Sequence, residues 1–315
     1  MPPSSKPAKK ATARQAAGRR SPAPRLDAMM ACDTAFRMVG RRYLGDLTAN
    51  HEATCKGGPG ALHRMRIALT RLRTAILFFS PMVADIRRTK IRHELKWLNG
   101  HLGLLRDLDV AIERLKALDK QKPRAIPYYR SWVAKRSESH RQLARALRSV
   151  RYRHLVESTA DWIENGPWSM SGGSHAAGQR AVPIVEYSAA KLAQWLAKLL
   201  RKSRRLLKMD AEERHRLRLL NKKLSYSIET FEDLFSHKRF LRLEAGLKHL
   251  RRAQRALGQL NDDTRGHALA AALPQNGAAA SFRFLSPKRE KRLLQTAVEA
   301  YRKLAASAKG GATSD

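Results

Sequence analysis

The sequence predicts an all-α fold, and three observations support this prediction. Apolar residues recur every three or four positions, as in Met65, Leu69, Leu72, Ile76 and Phe79, and this spacing places them on one side of a helix. Few segments alternate apolar and polar residues with the period of two that is typical of strands. Residues branched at Cβ, which favour strands, are sparse.

The expected helices are separated by glycine and proline residues, which break helices. In the first part they are expected over 26–54, 61–80, 85–101, 106–118 and 128–147, with one more that ends at Glu164. The glycines and proline of 56–60 end the first helix, and Pro81 ends the second. Gly103 is expected to loosen the end of the third. Later helices are expected over 185–208, 212–235, 239–257, 262–271 and 288–307.

The same breakers suggest a division into domains. The predicted organisation is a disordered basic arm over 1–25, a first helical repeat over 26–165, a linker over 166–183, a second helical repeat over 184–309 and a flexible C-terminus over 310–315. The arm carries seven Lys and Arg and no acid among Pro, Ala and Ser, which is typical of disorder. The linker is rich in glycine and proline.

Two anchor motifs occur in the same order in both parts of the chain. The first is His-x-x-Arg, beginning at His63 and at His215, and the second is Leu-Gly, with its glycine at Gly103 and at Gly258. The distance along the chain from His63 to His215 is nearly the same as the distance from Gly103 to Gly258. The chain is therefore predicted to contain an internal duplication.

The side of each signature helix opposite its apolar stripe carries cations. His63, Arg66, Thr70 and Arg73 fall on that side in the first copy, and residues 61–84 contain no acid. Solvated helix faces usually mix bases with acids, so a row of cations without acids predicts contact with a polyanion. In the second copy the corresponding residues are His215, Arg218 and Lys222, flanked by Arg216 and Lys223.

The composition agrees with an anionic partner. The 315 residues include 63 Lys and Arg against 27 Asp and Glu, a formal net charge of +36. A surface of this charge repels itself unless an anion neutralises it. Composition does not rank nucleic acid, an anionic membrane and an inorganic polyanion.

The cysteine content and the lack of membrane and secretory signals indicate the cellular compartment. Cys32 and Cys55 are the only cysteines, which suggests neither a disulfide scaffold nor a zinc site. No apolar run is long enough to span a membrane, and the N-terminus lacks the apolar core of a secretory signal. The protein is expected to be soluble and cytoplasmic, and no membrane partner is expected.

Taken together, these motifs resemble the CHAD domain, the conserved histidine α-helical domain. The resemblance covers about 26–307 and rests on His63-x-x-Arg66 with 71–73, Leu102-Gly103 with Arg106-Asp107, His215-x-x-Arg218 with Lys222, Lys223 and Tyr226, and Leu257-Gly258 with Asn261-Asp262. It implies two helical bundles related by a pseudo-twofold axis, whose basic faces converge on a cleft that binds inorganic polyphosphate. Members are often fused to a triphosphate tunnel metalloenzyme domain, but its Glu-x-Glu-x-Lys signature does not occur here.

The resemblance also implies which residues bind polyphosphate. Carried over position by position, the ligands are His63, Arg66, Arg71, Arg73, His215, Arg218, Lys222 and Lys223, with Lys96 and Arg251 as candidates from the following helices. Thr70 and Ser225 stand where the family usually has a basic residue, so the family's contacts at these two positions are not carried over. Arginine forks suit bidentate phosphate recognition, whereas lysines supply charge with less geometry.

The residues leave alternatives open for the two histidines. Each could donate to a phosphate oxygen, cap its helix or satisfy a neighbouring carboxylate. A metal site needs clustered ligands, and neither His63 nor His215 has a His, Cys or acid three or four residues further on. Neither a metal nor another cofactor is therefore expected.

The predicted function is binding of polyphosphate without catalysis. One form of this hypothesis places the protein at polyphosphate granules. Asp107 and Asp262 are expected to pair with arginines or helix ends and not to act as catalytic acids, and no Walker-type phosphate loop occurs. The alternatives are a nucleic-acid-binding protein and a regulatory subunit of a phosphate-metabolising enzyme. Few aromatic residues are present for base stacking, and no helix-turn-helix or zinc finger spacing is seen.

Overall fold

A computed structural model describes residues 25–118, 127–170, 174–272 and 283–309. In these segments the chain forms α-helices and short 3₁₀ turns, and its only extended pairing is an isolated bridge between Ala31 and Pro183. The α-helices are α1 (Cys32–Thr48), α2 (His51–Cys55), α3 (Pro59–Phe78), α4 (Ile86–Leu118), α5 (Pro127–Arg148), α6 (Val150–Asn165), α7 (Ser174–Ala181), α8 (Ile184–Ser203), α9 (Ala211–Phe231), α10 (His237–Ala271) and α11 (Pro287–Lys309). The predicted all-α class is confirmed.

Local sequence signals fix where the two signature helices begin. Gly57, with φ of 82°, turns the chain before α3, and Pro59 then occupies the first turn of that helix, where no backbone donor is needed. Asp210 caps α9 by accepting from the Glu213 amide at 2.7 Å, and the Glu213 carboxylate accepts from the Asp210 amide at 3.2 Å. This reciprocal pair is a capping box, which satisfies two otherwise free donors.

The main core lies beneath α3 and α9. Met65, Leu69, Leu72, Ile76 and Phe79 are all buried, as their spacing predicts. An aromatic cluster closes the end of this core. Its members are Phe36 from α1, Phe78 and Phe79 at the end of α3, Trp162 from α6, Trp168 from the 3₁₀ turn after α6, and Phe231 from α9. Burial of so many large rings holds both signature helices in one body.

Asn221 is a large polar residue on the otherwise mainly apolar side of α9. Its side chain is fully buried and donates to the Leu250 carbonyl at 3.1 Å and to Gln254 at 3.0 Å, both on α10. These bonds satisfy the buried amide donors.

Four helices meet at the centre of the molecule. α3 packs against α4 and α9, and α10 packs against both α9 and α4. The polar sides of α3 and α9 therefore face the same region, together with parts of α4 and α10.

The predicted breaks at Gly103 and Gly258 are wrong. Residues 86–118 form one helix, α4, and residues 239–271 lie within another, α10. Glycine weakens a helix interior by only about 1 kcal/mol relative to alanine. Leu98, Leu102 and Leu105 are buried around Gly103, and their packing offsets that cost.

Two smaller predictions need correction. The first helix was expected to run over 26–54, but α1 ends at Thr48 and a separate short helix, α2, follows. The predicted linker includes α7, which packs against α1. Beside it, the Ile184 amide donates to the Met30 carbonyl at 2.8 Å, so the start of α8 is fastened to the segment before α1.

The remaining predictions concern the two ends of the chain, its repeats and its duplication. The basic arm up to residue 24 and the terminus 310–315 lie outside the described residues. The division into repeats and the duplication stay predictions. Across the described parts of the chain, no helix is long and apolar enough to cross a membrane.

Candidate anion-binding site

The first part of the site is a cluster of arginines around two carboxylates. Arg66 Nη1 lies 3.7 Å from Asp107 Oδ1, and Arg265 Nε lies 3.9 Å from Asp107 Oδ2. Arg114 Nη2 donates to Asp262 Oδ2 at 3.1 Å. Asp107 and Arg114 lie on α4, and Asp262 and Arg265 lie on α10. Each of these two helices therefore supplies a carboxylate that pairs with an arginine of the other.

The arginines of this cluster outnumber its acids. Burial raises the pKa of Asp107, and Arg66 is the strongest of the neighbouring charges that oppose this rise. Desolvation lowers the pKa of Arg218, against the opposing effect of Asp262, and Arg66 adds to the lowering. Arg66 and Arg218, the two arginines of the His-x-x-Arg motifs, therefore share one partly desolvated, positively charged region.

The second part of the site is a pocket of about 500 Å³ between α3, α4 and α9. Its cationic lining consists of Arg73 from α3, Arg92 and Lys96 from α4, and Lys222 and Lys223 from α9. His93, three threonines and a few apolar side chains complete it, and no carboxylate is among these described lining residues. Five cations with no lining acid give a site that attracts anions.

Lys222 connects the pocket with the arginine cluster. It lines the pocket, and desolvation, followed by repulsion from Arg218 and Arg66, lowers its pKa to about 7. Its Nζ lies 5.4 Å from the centre of the Tyr226 ring. Desolvation also lowers the pKa of Lys223, as do Arg73 and two further cations. A bound anion would remove much of the repulsion and favour the charged form of both lysines.

The two signature histidines differ in their surroundings. Desolvation, and then repulsion from Arg106 and Lys222, lowers the pKa of His63, so its imidazole is neutral near pH 7. His215 Nδ1 donates to Asn261 Oδ1 at 2.6 Å, which leaves Nε2 as the free ring nitrogen. Neither histidine caps its helix, since Asp210 caps α9 and no side chain caps α3.

Among the candidate ligands outside the pocket lining, Arg71 and Arg251 share one acid. Arg71 Nη2 and Arg251 Nη2 both donate to Glu229, at 3.1 Å and 3.0 Å. Arg71 also lies over the Tyr226 ring, 5.3 Å from its centre. The Glu229 carboxylate thus already neutralises part of their charge, and their role as polyphosphate ligands stays a prediction.

The two positions that depart from the family pattern have different surroundings. The Thr70 hydroxyl donates to the Arg66 carbonyl at 2.8 Å, yet Thr70 still lines the pocket. Ser225 is buried and donates to the Asn221 carbonyl at 3.0 Å, so it does not reach the pocket.

Sequence reasoning missed four arginines at or near the site. One of them, Arg92, lines the pocket from α4. Arg114 and Arg265 contact the cluster acids from α4 and α10, and Arg106 lies near His63. Arg106 was recognisable because it precedes Asp107 in the repeated motif, whereas Arg114 and Arg265 carry no local signal. In the part of the chain that the structure describes, His, Cys, Asp and Glu do not gather in a group that could hold a metal ion.

Comparison with protein families gives a match to the CHAD domain over residues 39–271. This match covers most of the chain. The chain belongs to the CHAD domain family. The matched CHAD region ends with α10 and includes every candidate ligand named above, whereas α11 lies beyond it.

Solved structures show the same CHAD fold. The CHAD domain from the plant Ricinus communis superposes with a TM-score of 0.73 at 24% identity, covering 92% of this chain and 97% of that one. PptA from Streptomyces chartreusis superposes with a TM-score of 0.57 at 15% identity, covering 89% of this chain and 97% of that one. None of the curated proteins matches the chain.

Proposed function

We propose that this CHAD-domain protein binds inorganic polyphosphate along a path formed by the carboxylate-free pocket and the adjoining arginine cluster. The observation that carries the proposal is the lining of the pocket by five cations from three helices, with no acid among them. Lys222 adjoins Arg66 and Arg218, so a flexible anion can contact both parts of the site. Family membership supports the proposal through the resemblance described above.

Polyphosphate suits this site better than a nucleic acid does. Each phosphate of the polymer carries charge at close spacing, with no sugar or base to accommodate. The pocket lies between helices, and a rigid duplex could reach its rim but not its interior. The lining has three threonines and one histidine but no Phe, Tyr or Trp on which bases could stack.

The proposed activity is binding without catalysis. Asp107 and Asp262 are both paired with arginines, which supports a structural role for these carboxylates. In the cell, the proposal places the protein in the cytoplasm, with polyphosphate granules as one location. Regulation of a phosphate-metabolising enzyme is compatible with the same binding site.

The test is a competition experiment with matched charge variants. Arg73→Glu/Lys223→Glu changes two pocket cations, and Arg302→Glu/Lys303→Glu makes the same change in charge on exposed residues of α11. Each lost charged contact is worth about 1–3 kcal/mol. The pocket variant should therefore lose affinity for long polyphosphate by well over an order of magnitude, while the α11 variant should lose much less.

Duplex DNA of equal total charge is the competitor, at several salt concentrations. Binding of both polymers should weaken as salt rises, because condensed counterions are released. Polyphosphate should nevertheless displace DNA. In a separate assay, incubation of the protein and polyphosphate with Mg²⁺ or Mn²⁺ should neither shorten polyphosphate nor release phosphate. Equal displacement at every salt concentration would favour the nucleic-acid alternative, and equal losses in the two variants would argue against the pocket.

A further inference from the structure

No described carboxylate pairs with Lys222, which distinguishes it from four arginines near the site. Arg66, Arg71, Arg114 and Arg251 each have an acidic partner within 4 Å, whereas Lys222 forms no ion pair with an acid of the described residues. The groups that face it are the cations Arg66 from α3 and Arg218 from its own helix, with the ring of Tyr226 below its ammonium group.

The other titratable groups around Lys222 are basic residues. From α3, His63 is close enough for the charge of Lys222 to lower its pKa. From α4, Arg92 and Lys96 line the same pocket, and from α9 so does Lys223. A lysine in this position resists protonation, and its pKa near 7 makes a substantial fraction of the amine neutral and nucleophilic at physiological pH.

The pocket offers this amine a specific kind of reaction partner. Its volume, about 500 Å³, lies in the range that holds small organic ligands. Arg73, Arg92 and Lys223 can hold a phosphate group, and the apolar side chains Ile76, Leu77 and Leu95 line the same space. A small molecule with an apolar body, a phosphate and a reactive carbonyl would match each of these features.

We propose that the pocket binds small phosphorylated aldehydes and that Lys222 holds them covalently as a Schiff base. The neutral Nζ adds to the aldehyde carbon to give a carbinolamine. Loss of water, which carries away the aldehyde oxygen, then forms the C=N bond. No oxidant or reductant is consumed, and hydrolysis reverses the reaction.

The test uses pyridoxal 5′-phosphate as the probe on the full chain at pH 7. Borohydride reduces the imine to a stable amine, and peptide mass spectrometry then locates the labelled lysines. At this pH an ordinary lysine is neutral about a thousandfold less often than one with a pKa near 7, although the low-pKa amine is the weaker nucleophile. We expect label at Lys222 to exceed that at exposed Lys303 by at least about tenfold.

Three comparisons make the result specific. Lys222→Arg should lose the dominant label, and Lys303→Arg should keep it. Pyridoxal, which lacks the phosphate, should label Lys222 several-fold less than pyridoxal 5′-phosphate does, and Arg73→Glu should remove that advantage. Equal labelling of Lys222 and Lys303, or equal labelling of Lys222 by the two aldehydes, would overturn the proposal.

This inference goes beyond polyphosphate binding and fails separately from it. Long polyphosphate should protect Lys222 from the probe if both ligands use the pocket. Selective labelling of Lys222 without such protection would support the aldehyde site and count against polyphosphate in the same pocket.

Discussion

At the scale of single residues, the structure separates cations that are already paired from cations that remain available. Arg71 and Arg251 share the Glu229 carboxylate, whereas Arg73 and Lys223 face the pocket that no described acid lines. All four residues look alike in the sequence. Their availability depends on acids more than twenty residues away, and local spacing carries no information about these.

Arg218 provides a direct test at this scale. Its guanidinium is desolvated beside Arg66, so a bound phosphate should gain strong charged hydrogen bonds from it. Arg218→Gln should weaken binding of long polyphosphate by about 1–3 kcal/mol, measured by isothermal titration calorimetry. Arg302→Gln on the exposed side of α11 is the control. Unchanged affinity in Arg218→Gln, with the melting temperature preserved, would exclude Arg218 as a ligand.

The lowered pKa of Lys222 predicts that polyphosphate binding is coupled to proton uptake. The folded protein lowers its pKa to about 7, and surrounding phosphates would raise it again. Binding near pH 7–8 should therefore take up protons, and affinity should fall as pH rises through this range. Titrations in buffers of different ionisation enthalpy measure the uptake, which Lys222→Arg should abolish. Proton release on binding would contradict the prediction.

The same pKa has a consequence for stability. Between about pH 7 and the pKa of an ordinary lysine, the unfolded chain binds more protons at residue 222 than the folded chain does. This group therefore destabilises the fold fully below pH 7, and the penalty disappears as pH rises through the window. Lys222→Met should raise the melting temperature at pH 6, and the gain should shrink towards pH 10.

At the scale of helices, α4 and α10 carry ion pairs in both directions across their contact. Asp107 on α4 lies near Arg265, and Asp262 on α10 accepts from Arg114. Asp107 also lies 3.7 Å from Arg66, where it competes with any phosphate for that guanidinium. The carboxylates thus hold the helices together while they reduce the positive charge that an anion meets.

Asp107→Asn should therefore have opposite effects on stability and on binding. Loss of these long, partly exposed ion pairs should cost about 1 kcal/mol or less of unfolding free energy. Affinity for polyphosphate should rise because Arg66 loses its internal anion. Denaturant unfolding and calorimetric titration measure the two quantities. A loss of affinity would instead show that Asp107 positions Arg66 for binding.

The continuity of α4 also predicts the effect of a single methyl group. An added Cβ at Gly103 would meet no atom within 4 Å, so alanine fits without strain. Gly103→Ala should stabilise the protein by about 1 kcal/mol in denaturant unfolding, because alanine favours a helix interior. If residue 103 formed a turn, as its sequence first suggested, the substitution would not stabilise the fold.

Much at this scale was predictable, and the failures have a common cause. The buried stripes of α3 and α9 follow directly from apolar spacing, and most helix ends follow from caps and prolines. The breaks at Gly103 and Gly258 were wrong because the intrinsic cost of glycine is small beside the burial of Leu98, Leu102 and Leu105. The contacts of Arg114 and Arg265 join helices that are far apart in sequence, and no local pattern encodes them.

At the scale of the whole molecule, the candidate ligands from both copies of the repeated motif meet in one region. Arg66 lies on α3 and Arg218 on α9, and each influences the pKa of Lys222. This arrangement favours one shared site over two independent sites. The duplication that the sequence predicts would then supply the two sides of a single binding surface.

The shared site predicts the stoichiometry and its dependence on chain length. One long polyphosphate should bind per protein, and both Arg66→Gln and Arg218→Gln should weaken that same event. A short oligophosphate that cannot reach both sides should bind less tightly, because it loses the gain in effective concentration. Isothermal titration gives the stoichiometry. Two long chains bound independently, each removed by only one substitution, would refute the shared site.

The buried Asn221 determines more than the packing of one side chain. Its bonds to Leu250 and Gln254 exist in only one rotational setting of α9 against α10. An aliphatic residue would bury as well but would tolerate neighbouring settings, in the way that a buried polar residue specifies register between paired helices. A turn of α9 by one residue would carry the neighbouring Lys222 towards the core and away from the pocket. The amide thus encodes which side chains of α9 face the pocket.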